Sequence, residues 1–139
     1  MLELLAPAGN LDAVIAAVQN GADAVYMGFG DGFNARRSAD NFTRESFAKA
    51  VRYCHIRGCK VYVTLNTLVG DREMDAAAAL AQQASDAGAD AILVQDLGLA
   101  RVLRAALPDI PLHASTQMSI HNLAGVEAAA EMGITRAVL

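Results

Sequence analysis

The residues best suited to chemistry follow an apolar run that ends near position 114. His113, Ser115 and Asp96 are the residue types of a nucleophilic triad, whose base must lie within hydrogen-bonding distance of its nucleophile. Sequence spacing does not supply that distance. It does place His113 and Ser115 on one face of a strand, directed either to a barrel interior or to the helices. We interpret His113, Thr116 and Gln117 as contacts to a substrate or within a barrel interior, in preference to a serine-type triad.

Further polar residues follow the other apolar runs of the chain. Asn66 and Gln95 end such runs with amides, which orient a substrate by hydrogen bonds or satisfy the backbone of a loop. Arg36 and Arg37 lie on the one long connection, where paired guanidiniums bind a carboxylate or phosphate, or remain solvated surface charges. Asn10 follows the first run and can also cap a helix. With Asp96, His113, Ser115, Thr116 and Gln117, these residues form the predicted substrate-binding set, whereas the catalytic residues stay unassigned.

Metal and phosphate sites are poorly supported by the spacing. Cys54 and Cys59 are the two cysteines of the chain, without the second pair that a cysteine metal site needs, and buried thiols are the better interpretation. His113 and His121 lack an obvious third ligand. The glycine-rich stretch 28–33 lacks the Gly-Lys-Ser/Thr ending of a phosphate loop. We therefore assign no metal site, and the sequence of this region indicates no cofactor.

The elements that position these residues repeat along the chain. Each unit has a capping residue, an amphipathic helix, a glycine and a short apolar run. The segments GADAV (21–25) and GADAI (88–92) are near copies, and the helices that follow Asn10 and Asn122 align with identical residues at several positions, such as Leu11/Leu123 and Val14/Val126. The pattern predicts six strands, from 3–5 to 136–139, and five helices.

Alternating strands and helices predict an α/β fold with a parallel sheet and right-handed crossovers. An open doubly wound sheet and a closed (β/α) barrel both fit, and the similarity of the units favours the barrel. A closed barrel of this type needs eight strands and about 250 residues. We therefore predict that residues 1–139 are the N-terminal portion of a (β/α) barrel domain, a partial TIM-type barrel that is truncated.

Composition limits the classes of partner. Hydrophobic residues make up 54% of the chain, enough for a substantial core, and the net charge of −4 gives no general attraction for nucleic acid or anionic membranes. The chain shows neither a signal peptide nor an apolar run of about 18 residues. We expect a cytoplasmic protein that does not enter a membrane.

Six segments occur in an order that resembles a known family. They are ELLAPAGNLDA, GADAVYMG, DNFT, KVYVTLNTLV, GADAILVQDLG and LHASTQMSIHN, and together they span nearly the whole chain. This arrangement resembles the N-terminal region of the collagenase-like peptidase family U32. The resemblance implies a barrel-like catalytic region and peptidase activity. Other members resemble enzymes of RNA-base or ubiquinone hydroxylation, some with an iron–sulfur cluster on cysteines, and Cys54 and Cys59 do not match those cysteines by position.

Three hypotheses remain open at this point. In the first, the chain is the N-terminal fragment of a U32-type peptidase with its substrate mouth at the carboxyl ends of the strands. In the second, it belongs to a member that hydroxylates RNA bases or ubiquinone, so that a peptide or an RNA substrate is undecided. In the third, it is a non-catalytic fragment that forms a homo-oligomer through open strand edges.

Overall fold

The computed structural model describes residues 2–35 and 41–139. It contains one parallel sheet in the order β1-β2-β3-β4-β5-β6, which confirms the predicted α/β fold. The strands are β1 (Leu5–Pro7), β2 (Ala24–Met27), β3 (Lys60–Leu65), β4 (Ala91–Val94), β5 (Leu112–Ala114) and β6 (Ile134–Ala137). The helices are α1 (Leu11–Gln19), α2 (Arg44–His55), α3 (Met74–Asp86), α4 (Leu97–Ala106) and α5 (Leu123–Glu131), with a short 3₁₀ turn at Thr116–Met118.

The repeated capping residues begin the helices as their types predict. Asn10 accepts a hydrogen bond from the backbone N–H of Ala13 at 2.8 Å, and Asn122 accepts one from Gly125 at 2.9 Å. Thr43 caps α2 in the same way. These contacts satisfy backbone donors that a helix leaves free in its first turn.

The repeated GAD segments have a structural explanation as well. The carboxylate of Asp23 accepts the backbone N–H of Leu4, and that of Asp90 accepts the N–H of Val61, both at 2.7 Å. Each aspartate therefore fastens the start of its own strand to the start of the preceding strand. Asp90 also contacts His55 Nε2 at 2.8 Å.

Several element boundaries differ from the sequence prediction; the sixth strand, for example, is Ile134–Ala137 and not 136–139. The third helix begins at Met74 rather than near Asp71, because Glu73 accepts the backbone N–H of Gly70 and holds a turn ahead of it. The first strand is Leu5–Pro7, two residues later than predicted, since its register against β2 starts with Leu5 opposite Ala24.

The sheet has one face under the helices and one face turned inward. Helix-side strand residues pack with the helices in two clusters, one around Phe47 and Val61 and one around Leu99 and Leu112. The inward face carries a smaller cluster of Ala24, Tyr62, Ala91 and Leu93, packed against Leu5 and Tyr26. Parallel strands buried on both faces read as nearly continuous apolar runs, which explains the sequence of β3 and β4.

Side chains from the two edges of the sheet meet, which requires the sheet to curve. Glu3, just before β1, forms an ion pair with Arg136 on β6. Tyr62 on the central strand β3 donates its hydroxyl proton to the same carboxylate at 3.0 Å. The guanidinium of Arg136 also lies 5.6 Å from the centroid of the Tyr62 ring. These residues form a polar floor across the inward face, near the amino ends of the strands.

Among the described residues, no helix is both long and apolar enough to cross a lipid bilayer.

Candidate functional site

A cavity of about 240 Å³ opens on the inward face at the carboxyl ends of the strands. In parallel α/β folds this is the edge where strand-to-helix loops build binding sites. We call it the mouth cavity. It is lined by Leu5, Tyr26, Thr64, Asn66, Leu93, Ser115, Thr116, Gln117 and Val138.

Asn66 and Ser115 connect two loops at the centre of the mouth cavity. Both side chains are buried. Asn66 Nδ2 donates to Ser115 Oγ at 3.0 Å, and Asn66 Oδ1 accepts the backbone N–H of Ala35 at 3.1 Å. The amide at the end of β3 therefore holds both the loop after β2 and the loop after β5.

Gln117 and Thr116 lie on the 3₁₀ turn that follows β5. The hydroxyl of Ser115 donates to Gln117 Oε1 at 2.9 Å, and that of Thr116 donates to the same oxygen at 2.8 Å. Both side chains are exposed at the rim. Four predicted residues, namely Asn66, Ser115, Thr116 and Gln117, thus come together in one hydrogen-bonded group.

His113 lies deeper than the mouth cavity, on the inward face of β5. Its ring meets the Tyr62 ring edge to face, with centroids 4.9 Å apart. Burial lowers the pKa of His113 to about 4, and the positive charge of Arg136 acts in the same direction. The imidazole is therefore neutral at pH 7, and it lies on the inward face of the sheet against Tyr62.

The structure does not assemble the triad considered from residue types. The Ser115 hydroxyl bonds with Asn66 and Gln117, whereas the His113 ring packs on Tyr62. Asp96 caps α4 by accepting the backbone N–H of Leu99 at 2.8 Å. No base among the described residues is recorded in a hydrogen bond with the Ser115 hydroxyl, as activation of a serine nucleophile requires.

The other predicted site residues take different positions. Gln95 and Asp96 line a neighbouring cavity of about 360 Å³, which shares Gln117 with the mouth cavity. Asn10 caps α1 and is not among the residues that line either cavity. Arg36 and Arg37 lie outside the described residues.

Sequence reasoning missed the inward residues Tyr26, Tyr62, Glu3 and Arg136. A signal was present in the segment KVYVTLN, where Tyr62, Thr64 and Asn66 alternate with apolar residues and so share one face of β3. Glu3 and Arg136 carried no comparable signal, since 133 positions separate them.

The described residues do not fit an iron–sulfur cluster or another metal site. They contain no group of three or more His, Cys, Asp or Glu side chains that could hold a metal ion. Cys54 and Cys59 are buried on the helix side of the sheet, where burial raises the pKa of Cys54 to about 12 and also raises that of Cys59. Metal binding requires the thiolate form, which these surroundings disfavour.

Several curated proteins are similar to the chain over most of its length. It is 41% identical over 138 residues to the 23S rRNA 5-hydroxycytidine synthase of Escherichia coli, covering 99% of the chain and 20% of that protein. It is 39% identical to tRNA hydroxylation protein P1 of Bacillus subtilis, covering 99% and 32%. It is 36% identical to a collagenase of Porphyromonas gingivalis, covering 86% and 28%. The chain thus spans a third or less of each of these relatives.

A solved structure supports the fold. The U32 peptidase Mk0906 superposes with a TM-score of 0.76 at 16% identity, over 99% of this chain and 57% of that one. At this identity the likeness concerns the fold alone. The family model for peptidase family U32 matches residues 9–139. The order of the six segments, the barrel-like sheet and this match lead to one conclusion: the chain belongs to peptidase family U32.

Proposed function

We propose that this chain forms the base-binding mouth of a U32 protein that acts in RNA hydroxylation. The observation that carries the proposal is the chemistry of the mouth cavity, whose described lining consists of amides, hydroxyls, one tyrosine and aliphatic residues, without a charged group. The names of the rRNA and tRNA hydroxylation relatives support the same proposal.

The lining suits a nucleobase in both chemistry and size. Amide side chains hydrogen-bond base edges, and aromatic rings stack on base faces, so Asn66, Gln117 and Tyr26 are appropriate contacts. The volume of about 240 Å³ equals that of about eight water molecules in the liquid, at about 30 Å³ each. An enzyme that modifies a base must take it out of its stack and enclose it, which a cavity of this size allows.

The charge balance limits this role to base recognition. With a net charge of −4, the chain offers little general attraction for phosphates, which dominate non-specific RNA binding. Selective contact with a single base at the mouth does not depend on that attraction. We therefore assign the base, rather than the RNA backbone, to this part of the protein.

Peptide hydrolysis is the competing activity, favoured by the collagenase relative. A serine-type mechanism needs a free nucleophile beside a base, and the recorded contacts of Ser115 and His113 do not provide that pair. The geometry of the described mouth therefore supports base binding better than serine-type proteolysis.

Mass spectrometry of RNA nucleosides tests the proposal. We expect deletion of the gene to remove a hydroxylated nucleoside from rRNA or tRNA, and the wild-type gene to restore it. Asn66→Ala should lower the restored level at least about tenfold, because the variant removes the amide that holds both loops of the mouth. Asn20→Ala is the matched control, since Asn20 is exposed at the end of α1 and its side-chain amide donates to the Ala16 carbonyl of its own helix.

Parallel assays separate the alternatives. Unchanged RNA nucleosides together with digestion of casein or collagen by the purified protein would contradict the proposal and favour the peptidase. A changed quinone profile with unchanged RNA would indicate ubiquinone hydroxylation.

We also propose that the chain associates with a second copy through its sheet edges. β1 and β6 each pair with one neighbour among the described strands, and Leu2 and Leu4 beside β1 are exposed. Unpaired edges with apolar neighbours favour strand addition. Light scattering of the 139-residue chain should therefore give at least the mass of a dimer. A monomer mass at high protein concentration would contradict this proposal.

A further inference from the structure

The hydrogen bonds of the mouth cavity form a series in which each donor and acceptor can be assigned. The series starts at a backbone N–H, which cannot act as an acceptor. The backbone N–H of Ala35 can only donate, and it lies 3.1 Å from the Asn66 side-chain oxygen. This contact fixes Oδ1 of Asn66 toward Ala35. Asn66 Nδ2, 3.0 Å from Ser115 Oγ, is then the donor to that hydroxyl.

The same logic continues through Ser115 to Gln117. A serine hydroxyl has one proton and two lone pairs, and Ser115 Oγ accepts from Asn66 Nδ2 and from the backbone N–H of Gln117, so its proton is left for the Gln117 side-chain atom 2.9 Å away. That atom must be an acceptor, which identifies it as Oε1. The hydroxyl of Thr116 donates to Oε1 as well, at 2.8 Å, and the two donors together use both of its lone pairs.

At the outer end of this series of hydrogen bonds, the Gln117 side chain can therefore only donate. Gln117 Nε2 keeps two N–H groups, and the hydrogen bonds recorded for Gln117 within the described residues use only its Oε1 and its backbone N–H. The side chain is exposed and lines the mouth cavity. A glutamine in solution offers a donor and an acceptor equally, whereas this one offers only the donor.

We propose that Gln117 determines specificity by donating an N–H to a carbonyl oxygen of the bound base. The inference rests on the proposed function. It adds that the ligand must present a hydrogen-bond acceptor to Gln117. A ligand that places an amino group against Gln117 meets a second donor and loses a hydrogen bond. Two donors that face each other leave both groups without a partner in the complex, which disfavours such a ligand.

Two variants distinguish the role of the Gln117 donor from the role of the hydrogen bonds that orient it. Gln117→Glu keeps one side-chain oxygen for Ser115 and Thr116 and places a second oxygen where Nε2 was, so the outer end changes from donor to acceptor and gains a negative charge. Ser115→Ala keeps the glutamine and removes the group that orients it. Gln83→Glu makes the same chemical change as the first variant at an exposed position of α3.

Uridine is the probe, titrated into the full chain and followed by NMR shifts of side-chain amides. We expect Gln117→Glu to weaken uridine binding at least about tenfold, because an acceptor then faces the base carbonyl. Ser115→Ala should weaken binding by a smaller factor, since the glutamine can still donate after it rotates. Gln83→Glu should bind uridine as the wild type does. The Asn66 amide signals should keep their position in Gln117→Glu and shift in Ser115→Ala.

Two results would overturn the inference. Unchanged uridine affinity in Gln117→Glu would show that its amide does not contact the base carbonyl. Absence of uridine binding by the wild-type chain would remove the proposed contact altogether. Neither result decides the proposed function, which depends on the hydroxylated nucleoside in cellular RNA.

Discussion

Phe47→Ala is expected to lower the free energy of unfolding by about 3–5 kcal/mol. The Phe47 side chain is completely buried, and its ring centroid lies 4.7 Å from that of Phe29. Phe42, at the position before the α2 cap, lies in the same cluster, as a hydrophobic staple predicts. Alanine would leave a cavity that the surrounding helix and sheet can fill only in part, so the lost contacts are not regained.

Urea unfolding monitored by circular dichroism measures this loss. Ile56→Ala, at the end of the same helix, is the matched control, because the Ile56 side chain is 70% exposed. We expect it to change stability by no more than about 0.5 kcal/mol. A similar loss in both variants would contradict the packing that the structure shows.

We expect the lost packing in Phe47→Ala to affect the mouth cavity as well. Phe29 forms an isolated bridge with Phe42, and this pair holds the two ends of the long loop after β2. Ala35, which fixes the orientation of Asn66, lies on that loop. The core of α2 and the site are therefore connected through the Phe29–Phe42 bridge and the loop that carries Ala35.

The chain is expected to lose about 3 kcal/mol of stability through His113 as the pH falls from about 6.5 to about 4. The pKa of His113 in the folded chain is lowered to about 4, whereas the ordinary value is 6.5. Between these values the unfolded chain binds a proton that the folded chain rejects, so acidification favours unfolding. Above pH 6.5 both states are neutral at this residue and the contribution is constant.

The neighbouring charged groups allow the histidine to be isolated. Glu3, Arg136 and Lys60 act on His113, and Tyr62 packs against it. The hydrogen bond from Arg136 lowers the pKa of Glu3 below its ordinary 4.5, so the stability it adds is lost only at lower pH. The window from pH 6.5 to 5 therefore lies above the range in which Glu3 loses that contribution.

His113→Asn is the comparison for this window, with His113→Gln as a second neutral replacement. Urea unfolding at pH 7, 6 and 5 should show a smaller fall in stability for the variants than for the wild type. An equal pH dependence in wild type and variants would show that His113 accepts its proton in the folded chain at an ordinary pH.

Local spacing was enough to predict the elements of the fold. The caps Asn10, Thr43 and Asn122 act within one helical turn, and the apolar runs at β3 and β4 record strands buried on both faces. The repetition of these units led to the parallel α/β sheet, and the six ordered segments led to the family, which the match over residues 9–139 confirms. These features depend on residues that are neighbours in the chain, so the sequence displays them directly.

The site needed more than local spacing. The sequence placed His113 and Ser115 on one face, but only the tertiary structure put that face inward and separated the two residues into a buried histidine and a mouth serine. Asn66 meets Ser115 across 49 positions, and Glu3 meets Arg136 across 133. Such contacts follow from the order and curvature of the parallel strands, which bring distant loops to one edge of the sheet. The sequence thus determined the strand–helix units and their family, whereas the packing of the sheet decided which polar side chains line the mouth cavity and which, like Asn10, cap a helix.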